Sequence, residues 1–123
     1  MLKYLLLLLG VAAGISVGIA QEWRAITVNA NGAEWSIRTG SVRSAPMGSK
    51  TMISGIFRRS LGDFAATFKI AVDQAHCGAA RGDILVTTLE GAVIEQSVYS
   101  TMAPTAGTYI AAELCRTPAG VSR

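Results

Sequence analysis

Phe64, Ala66, Phe68, Ile70 and Val72 alternate with Ala65, Thr67, Lys69, Ala71 and Asp73. Strict period-two alternation over ten residues has one physical reading: a long strand with an apolar face and a more polar face. Such a strand cannot stand alone. It needs neighbours for its backbone groups and a layer over its apolar side. The chain therefore belongs with the sheet proteins, and the rest of the sequence must supply partners for this strand.

Trp23 to Arg38 supplies a first hairpin. Asn31-Gly32 suits a type I′ turn, since both residues tolerate positive φ. Folding there pairs Val28 with Trp35, Ile26 with Ile37, Thr27 with Ser36 and Ala25 with Arg38. Gly40 to Ser49, with Pro46, reads as a loop. Lys50 to Arg58 reads as a strand in which Gly55 marks a bulge or a close backbone approach. Arg59 to Asp63 turns the chain into the alternating strand, and Cys77 to Gly82 is a connection. Asp83 to Leu89 and Ala92 to Tyr99 form a second hairpin around Glu90-Gly91. Ala103 to Cys115 predicts a closing helix, with Pro104 in its first turn and a stripe of Ile110, Ala111, Leu114 and Cys115. The expected fold is α+β: a small antiparallel sheet of five or six strands, one C-terminal helix and one disulfide.

The N-terminus has a different character. Met1-Leu2-Lys3 gives a positive start, Tyr4 to Ile19 is almost wholly apolar, and Gly18-Ile19-Ala20 fits a small-x-small cleavage site. This is the pattern of a secretory signal peptide over 1–20. The competing reading is an uncleaved anchor, since the run lies near the ~18-residue lower limit for spanning a bilayer. No cysteine sits near the cleavage site to carry a lipid. The expectation is an exported protein, periplasmic or secreted, not lipid-anchored and without a membrane span after cleavage. Residues 21–123 then form a single domain. Of the whole chain 50% is apolar and 15% charged, which excludes a disordered tail.

Cys77 and Cys115 lie 38 positions apart. In an exported domain two cysteines most often pair, and closing such a loop is worth about 4 kcal/mol in the chain-entropy model. A reactive thiol and a metal site are the alternatives. His76 adjoins Cys77, but one His and two Cys are a thin ligand set for zinc.

Over residues 21–123 signatures of catalysis are missing: there is no G-x-S-x-G, H-E-x-x-H or S-x-x-K, and no phosphate-cradling glycine loop; the one G-x-S-x-G, Gly14 to Gly18, lies within the apolar leader. The reading is non-enzymatic, with no catalytic residue, metal or cofactor. Asp73, Asp83 and Glu95 are the carboxylates left to converge in space, and a deep pocket lined by two carboxylates would revive an enzyme. Arg81-Gly82-Asp83 resembles an integrin-binding turn, although Gly-Asp is also ordinary turn chemistry.

The charges are uneven. Between Arg38 and Arg59 the chain carries Arg38, Arg43, Lys50, Arg58 and Arg59 and no acidic residue. On one face these would attract sulfated glycans, acidic protein or anionic lipid head groups. Without Lys3 the formal charge of +3 falls to +2, too mild to argue for nucleic acid. Trp35 falls on the apolar parity of its strand. Trp23 falls on the other, as a partner anchor or a cover for a sheet edge.

These features together resemble the surface-adhesin protein E family of bacterial exported proteins. The resemblance spans most of 22–116. It rests on Glu22-Trp23-Arg24 after the signal, a hairpin ending in Ser36-Ile37-Arg38, a strand leading through Val72-Asp73-Gln74-Ala75-His76 to Cys77, and a closing helix with Cys115. It implies a small antiparallel sheet with a helix, and adhesion to host matrix proteins and plasminogen, an activity of the family's pathogen members. The chain departs from the pattern in lacking a lipid-anchoring cysteine.

The functional expectation is a non-enzymatic binding module, adhesin-like, for a protein or glycan partner in the host matrix or cell envelope. Its candidate contacts are Arg38, Arg43, Lys50, Arg58, Arg59 and Trp23. The alternative is a periplasmic inhibitor of a cell-wall or defence enzyme such as lysozyme, probing with Pro46 and Met47 in the Gly40–Ser49 loop.

Overall fold

The structure, a computed structural model, describes residues 22–116; residues 1–21, with the segment read as an export signal, and residues 117–123 lie outside them. Seven strands and one helix follow in order: β1 Trp23–Val28, β2 Glu34–Arg38, β3 Arg43–Met47, β4 Lys50–Leu61, β5 Phe64–Asp73, β6 Arg81–Thr87, β7 Val93–Ser100 and α1 Ala106–Arg116. A short 3₁₀ turn, Gln74–His76, follows β5. The strands form one antiparallel sheet in the order β1-β2-β4-β5-β6-β7, and β3 also pairs with β4. The expected α+β class is present, with one more strand than the upper expectation.

The extra strand comes from the segment read as a loop. Arg43–Met47 pairs with Lys50–Ser54 through a two-residue Gly48-Ser49 connection, Gly48 at φ 65°. Gly-Ser between two extended runs is a hairpin signal, here masked by Pro46. Pro46 is tolerated because β3 is short and pairs on one side. β2 and β3 share one edge of β4: β2 pairs with Phe57–Ser60 and β3 with Lys50–Ser54. At the gap between them the buried Ser41 hydroxyl accepts the Ile56 N–H at 3.0 Å, sealing the ladder.

β5 has the expected bounds and faces, yet its apolar row is buried only at one end. Ile70 and Val72 are 1% and 0% exposed, whereas Phe64 is 83% exposed. The cause is strand length, because β6 pairs only with Lys69–Val72. The first half of β5 therefore runs with β4 beyond the covered core. β4 continues to Leu61, so the turn is Gly62-Asp63 alone, with Gly62 at φ 61°.

The first hairpin forms, but its register differs from the expected one. Asn29 and Ala33 flank the turn, with Gly32 N–H donating to Asn29 O and Asn29 N–H to Ala33 O. This is a three-residue connection with Gly32 left-handed, one residue longer than a type I′ turn. A bulge between Ala25 and Thr27 adds a second shift. Trp35 therefore faces Thr27, and Ile37 faces Arg24.

Helix α1 packs on the inner sheet face. Ile110, Ala111 and Leu114 are buried against a core that includes Ile37, Phe57, Ile70, Val72 and Ile84. Fully burying each such aliphatic side chain is worth about 1.5–3 kcal/mol. Gly55 permits the approach: a Cβ there would lie 3.1 Å from Leu114 Cδ2. No bulge occurs at Gly55, so close approach is its role. The helix starts three residues later than expected. Thr105 caps it, its N–H donating to Thr108 Oγ1 at 3.1 Å, and Pro104 precedes the cap. A Cys77–Cys115 disulfide with Cα atoms 5.4 Å apart ties the helix to the chain leaving β5, which removes the thiol and metal alternatives.

Candidate binding face

Side-chain parity sorts the expected contact residues. Ile37, Phe57, Phe68, Ile70 and Val72 define the inner face, so their alternate neighbours define the outer one. Arg38, Arg58 and Lys69 fall on the outer face of three adjacent strands, β2, β4 and β5. Trp23 pairs with Arg38 and joins them from β1. Ala25, Ser36, Arg58 and Thr67 form one row across the sheet.

Arg58 and Trp23 are in direct contact. The guanidinium carbon stands 4.5 Å from the indole centroid, a cation–π stack. Arg58 Nε is buried without a hydrogen-bond partner, so the terminal Nη groups are what a ligand can meet. Ser36, in the row between Ala25 and Arg58, is buried. Among the described residues no carboxylate lies within ion-pair distance of Arg38, Arg58 or Lys69.

The other basic candidates separate from this cluster. Arg43 has outer parity, but its Nη1 donates to Gly40 O and Val42 O, both at 2.8 Å. Lys50 shares the face yet lies eight residues from Arg58 along β4, about 27 Å of extended strand. It lines a cleft of about 420 Å³ with Met52, Asp73, Asp83, Leu85 and Val98. Arg59 is a correction. It pairs with Trp35 and Ala66, which places it on the inner face. Adjacent residues of a strand point opposite ways, so Arg58 and Arg59 could never share a patch.

Two of the three scattered carboxylates share a cleft. Asp73 and Asp83 line the same cleft, while Glu95 pairs with the inner-face Val86. Asp73 is engaged: its Oδ1 accepts the Ala75 N–H at 2.9 Å and opens the 3₁₀ turn. Among the described residues no group of three or more His, Cys, Asp or Glu side chains converges to hold a metal. The Arg81-Gly82-Asp83 segment is not a turn. It opens β6, paired with Val98–Ser100, and Gly82 is buried beneath Tyr99. Burial pushes the Tyr99 hydroxyl pKa up, with the Asp83 charge adding to it; that hydroxyl donates to His76 O at 3.3 Å.

Sequence reasoning missed two charged positions. Lys69 completes the outer-face cluster from β5, and its signal was its polar parity in the alternating strand. Glu113 is 7% exposed and holds two arginines, Arg24 from β1 and Arg116 from its own helix, the latter at 2.8 Å. Burial works to raise the Glu113 pKa, but the two arginines, by hydrogen bond and charge, outweigh it and hold the carboxyl below its ordinary range. The Glu113–Arg116 spacing carried a signal, as an i,i+3 pair. No helix among the described residues is long and apolar enough to cross a membrane.

No family model matches the chain, and neither does any curated protein or solved structure.

Proposed function

We propose that this chain is a non-enzymatic exported binding module, adhesin-like in manner, whose outer sheet face holds an anionic partner. The observation that carries it is the Trp23–Arg58 stack flanked by Arg38 and Lys69, three cations on adjacent strands without acidic partners among the described residues. Cations held on strands are positioned more firmly than cations on loops, so less entropy is lost on binding. The disulfide is compatible with export.

The test is capture of the oxidised chain by a panel of acidic matrix proteins, plasminogen, polyanions and lysozyme at two salt concentrations. The expected result is saturable binding to an acidic partner, weakened by added salt and by reversing Arg38 and Arg58 to Glu. Binding that ignores both salt and charge reversal overturns the reading. Binding to lysozyme alone overturns it in favour of an inhibitor probing with the Met47–Lys50 hairpin.

A further inference from the structure

We infer that the partner of the outer face is a sulfated polysaccharide chain, an assignment that rests on that face being the binding surface. Strand geometry is the first reason. Arg38, Arg58 and Lys69 occupy β2, β4 and β5 in sequence across the sheet. Neighbouring strands stand about 4.8 Å apart, so the backbones carrying Arg38 and Lys69 are roughly 10 Å apart, and Arg58 stands on the strand between them, one outer-face row along, about 7 Å further down β4. A linear chain that repeats its anionic groups at a fixed interval meets such cations in turn as it crosses the strands.

The second reason is what surrounds the cations. Arg58 pairs with Thr67, and Ser60 pairs with Ala65 in the next row of the same face; Glu34 and Val28 continue that row to the sheet edge, and half-buried Ile56 sits beside Lys69. Hydroxyls and small side chains suit sugar hydroxyls. They do not suit a membrane surface, where apolar side chains must enter the lipid to reinforce charge attraction. The large exposed apolar residues of β4 and β5, Leu61 and Phe64, pair with each other on the opposite face.

The third reason separates a polysaccharide from an acidic protein. Protein interfaces draw most of their affinity from aromatic or aliphatic anchors that fill a partner's pockets. The aromatic of this patch, Trp23, is half-buried and covered by the Arg58 guanidinium, so it orients the cation rather than entering a partner. A planar guanidinium fixed in this way offers its terminal N–H groups to two oxygens at once, the geometry that sulfate accepts.

The experiment measures binding of the full oxidised chain to heparin, to desulfated heparin, to poly-glutamate and to phosphatidylglycerol vesicles. Heparin is expected to bind, desulfated heparin to bind at least tenfold more weakly, and vesicles and poly-glutamate to compete poorly. The R38Q/R58Q/K69Q variant is expected to lose tenfold or more in affinity and to flatten the salt dependence by about one unit of slope per cation removed. K50Q and R59Q, far along the strand and on the other face, are expected to stay within twofold of the parent. Thermal melts show whether each variant is folded. A loss in K50Q and R59Q equal to that of the triple variant means unspecific charge and overturns the proposal. Binding of poly-glutamate or vesicles in place of heparin overturns the polysaccharide while leaving the outer-face reading standing. Salt-insensitive binding, or none by a folded chain to any polyanion, overturns both.

Discussion

The Arg58 guanidinium on β4 stacks over the Trp23 indole on β1, across the intervening β2. The contact ties an edge strand to the centre of the sheet from the outer side, opposite the face that α1 covers. A stack of this kind is worth roughly 0.5–2 kcal/mol. A double-mutant cycle on Trp23→Ala and Arg58→Ala, read by urea denaturation, is expected to give a coupling of about 0.5–1 kcal/mol. Strictly additive losses would show that the two side chains are merely adjacent.

Glu113 makes stability depend on acid. Its folded pKa lies below the ordinary value of 4.5, so its stabilising effect is complete above that value and disappears as pH falls through the folded pKa. Glu113→Gln is expected to cost about 1–3 kcal/mol at neutral pH, the worth of hydrogen bonds to charged groups. Melting temperatures of parent and variant should draw together progressively as pH falls below 4.5. A gap that stays constant with pH would mean that the Arg24–Glu113–Arg116 cluster is packing rather than charge.

The disulfide closes a loop of 38 residues between the end of β5 and the end of the helix. The chain-entropy model gives such a closure about 4 kcal/mol, a large share of the 5–15 kcal/mol typical of whole domains. The C77A/C115A variant is expected to lose helix signal and inner-face packing first, because this bridge reinforces an apolar stripe, the Arg24–Glu113 ion pair and the Thr108–Ser100 hydrogen bond in holding α1 to the sheet. Circular dichroism at 222 nm against temperature checks it. A variant that melts within a few degrees of the parent would place the stabilisation elsewhere.

What could be read from the sequence depended on how local the determinant was. β5 was legible to the residue because alternation needs no information beyond the strand itself. The first hairpin was legible as a hairpin but not in register. Asn31-Gly32 serves a two-residue and a three-residue turn equally well, and the bulge after Ala25 leaves no composition mark. β3 hid behind Pro46, whose edge position depends on where β2 ends. Arg38 and Arg58 could be placed on one face only once the β2–β4 register was known, because parity within a strand says nothing of the strand beside it. Arg59 could have been set apart at once, by its adjacency to Arg58. In the Glu113 cluster only the Glu113–Arg116 pair has a short-range signal; Arg24 joins from 89 positions away, and no local pattern announces it.

Gly82 gives the sharpest test of β6. It is a strand residue with ordinary backbone angles, so its requirement is space rather than conformation. A Cβ built there would lie 2.6 Å from Tyr99 Cε2 and from the Tyr99 hydroxyl. Tyr99 is 5% exposed and its hydroxyl is held by His76 O, so the ring has little room to withdraw. Gly82→Ala is expected to cost about 1–3 kcal/mol, the usual range for overpacking a filled interior. Arg81→Ala, at an exposed neighbouring position, is expected to stay within about 0.5 kcal/mol of the parent. The two substitutions also separate the structural account of this tripeptide from a recognition role, since a binding turn would need Arg81 and tolerate a relaxed Gly82. Combining Gly82→Ala with Tyr99→Leu should cost less than the sum of the single variants, because the smaller side chain vacates the space that the new methyl enters. Additive losses in that pair would mean that Gly82 is constrained by something other than the Tyr99 ring.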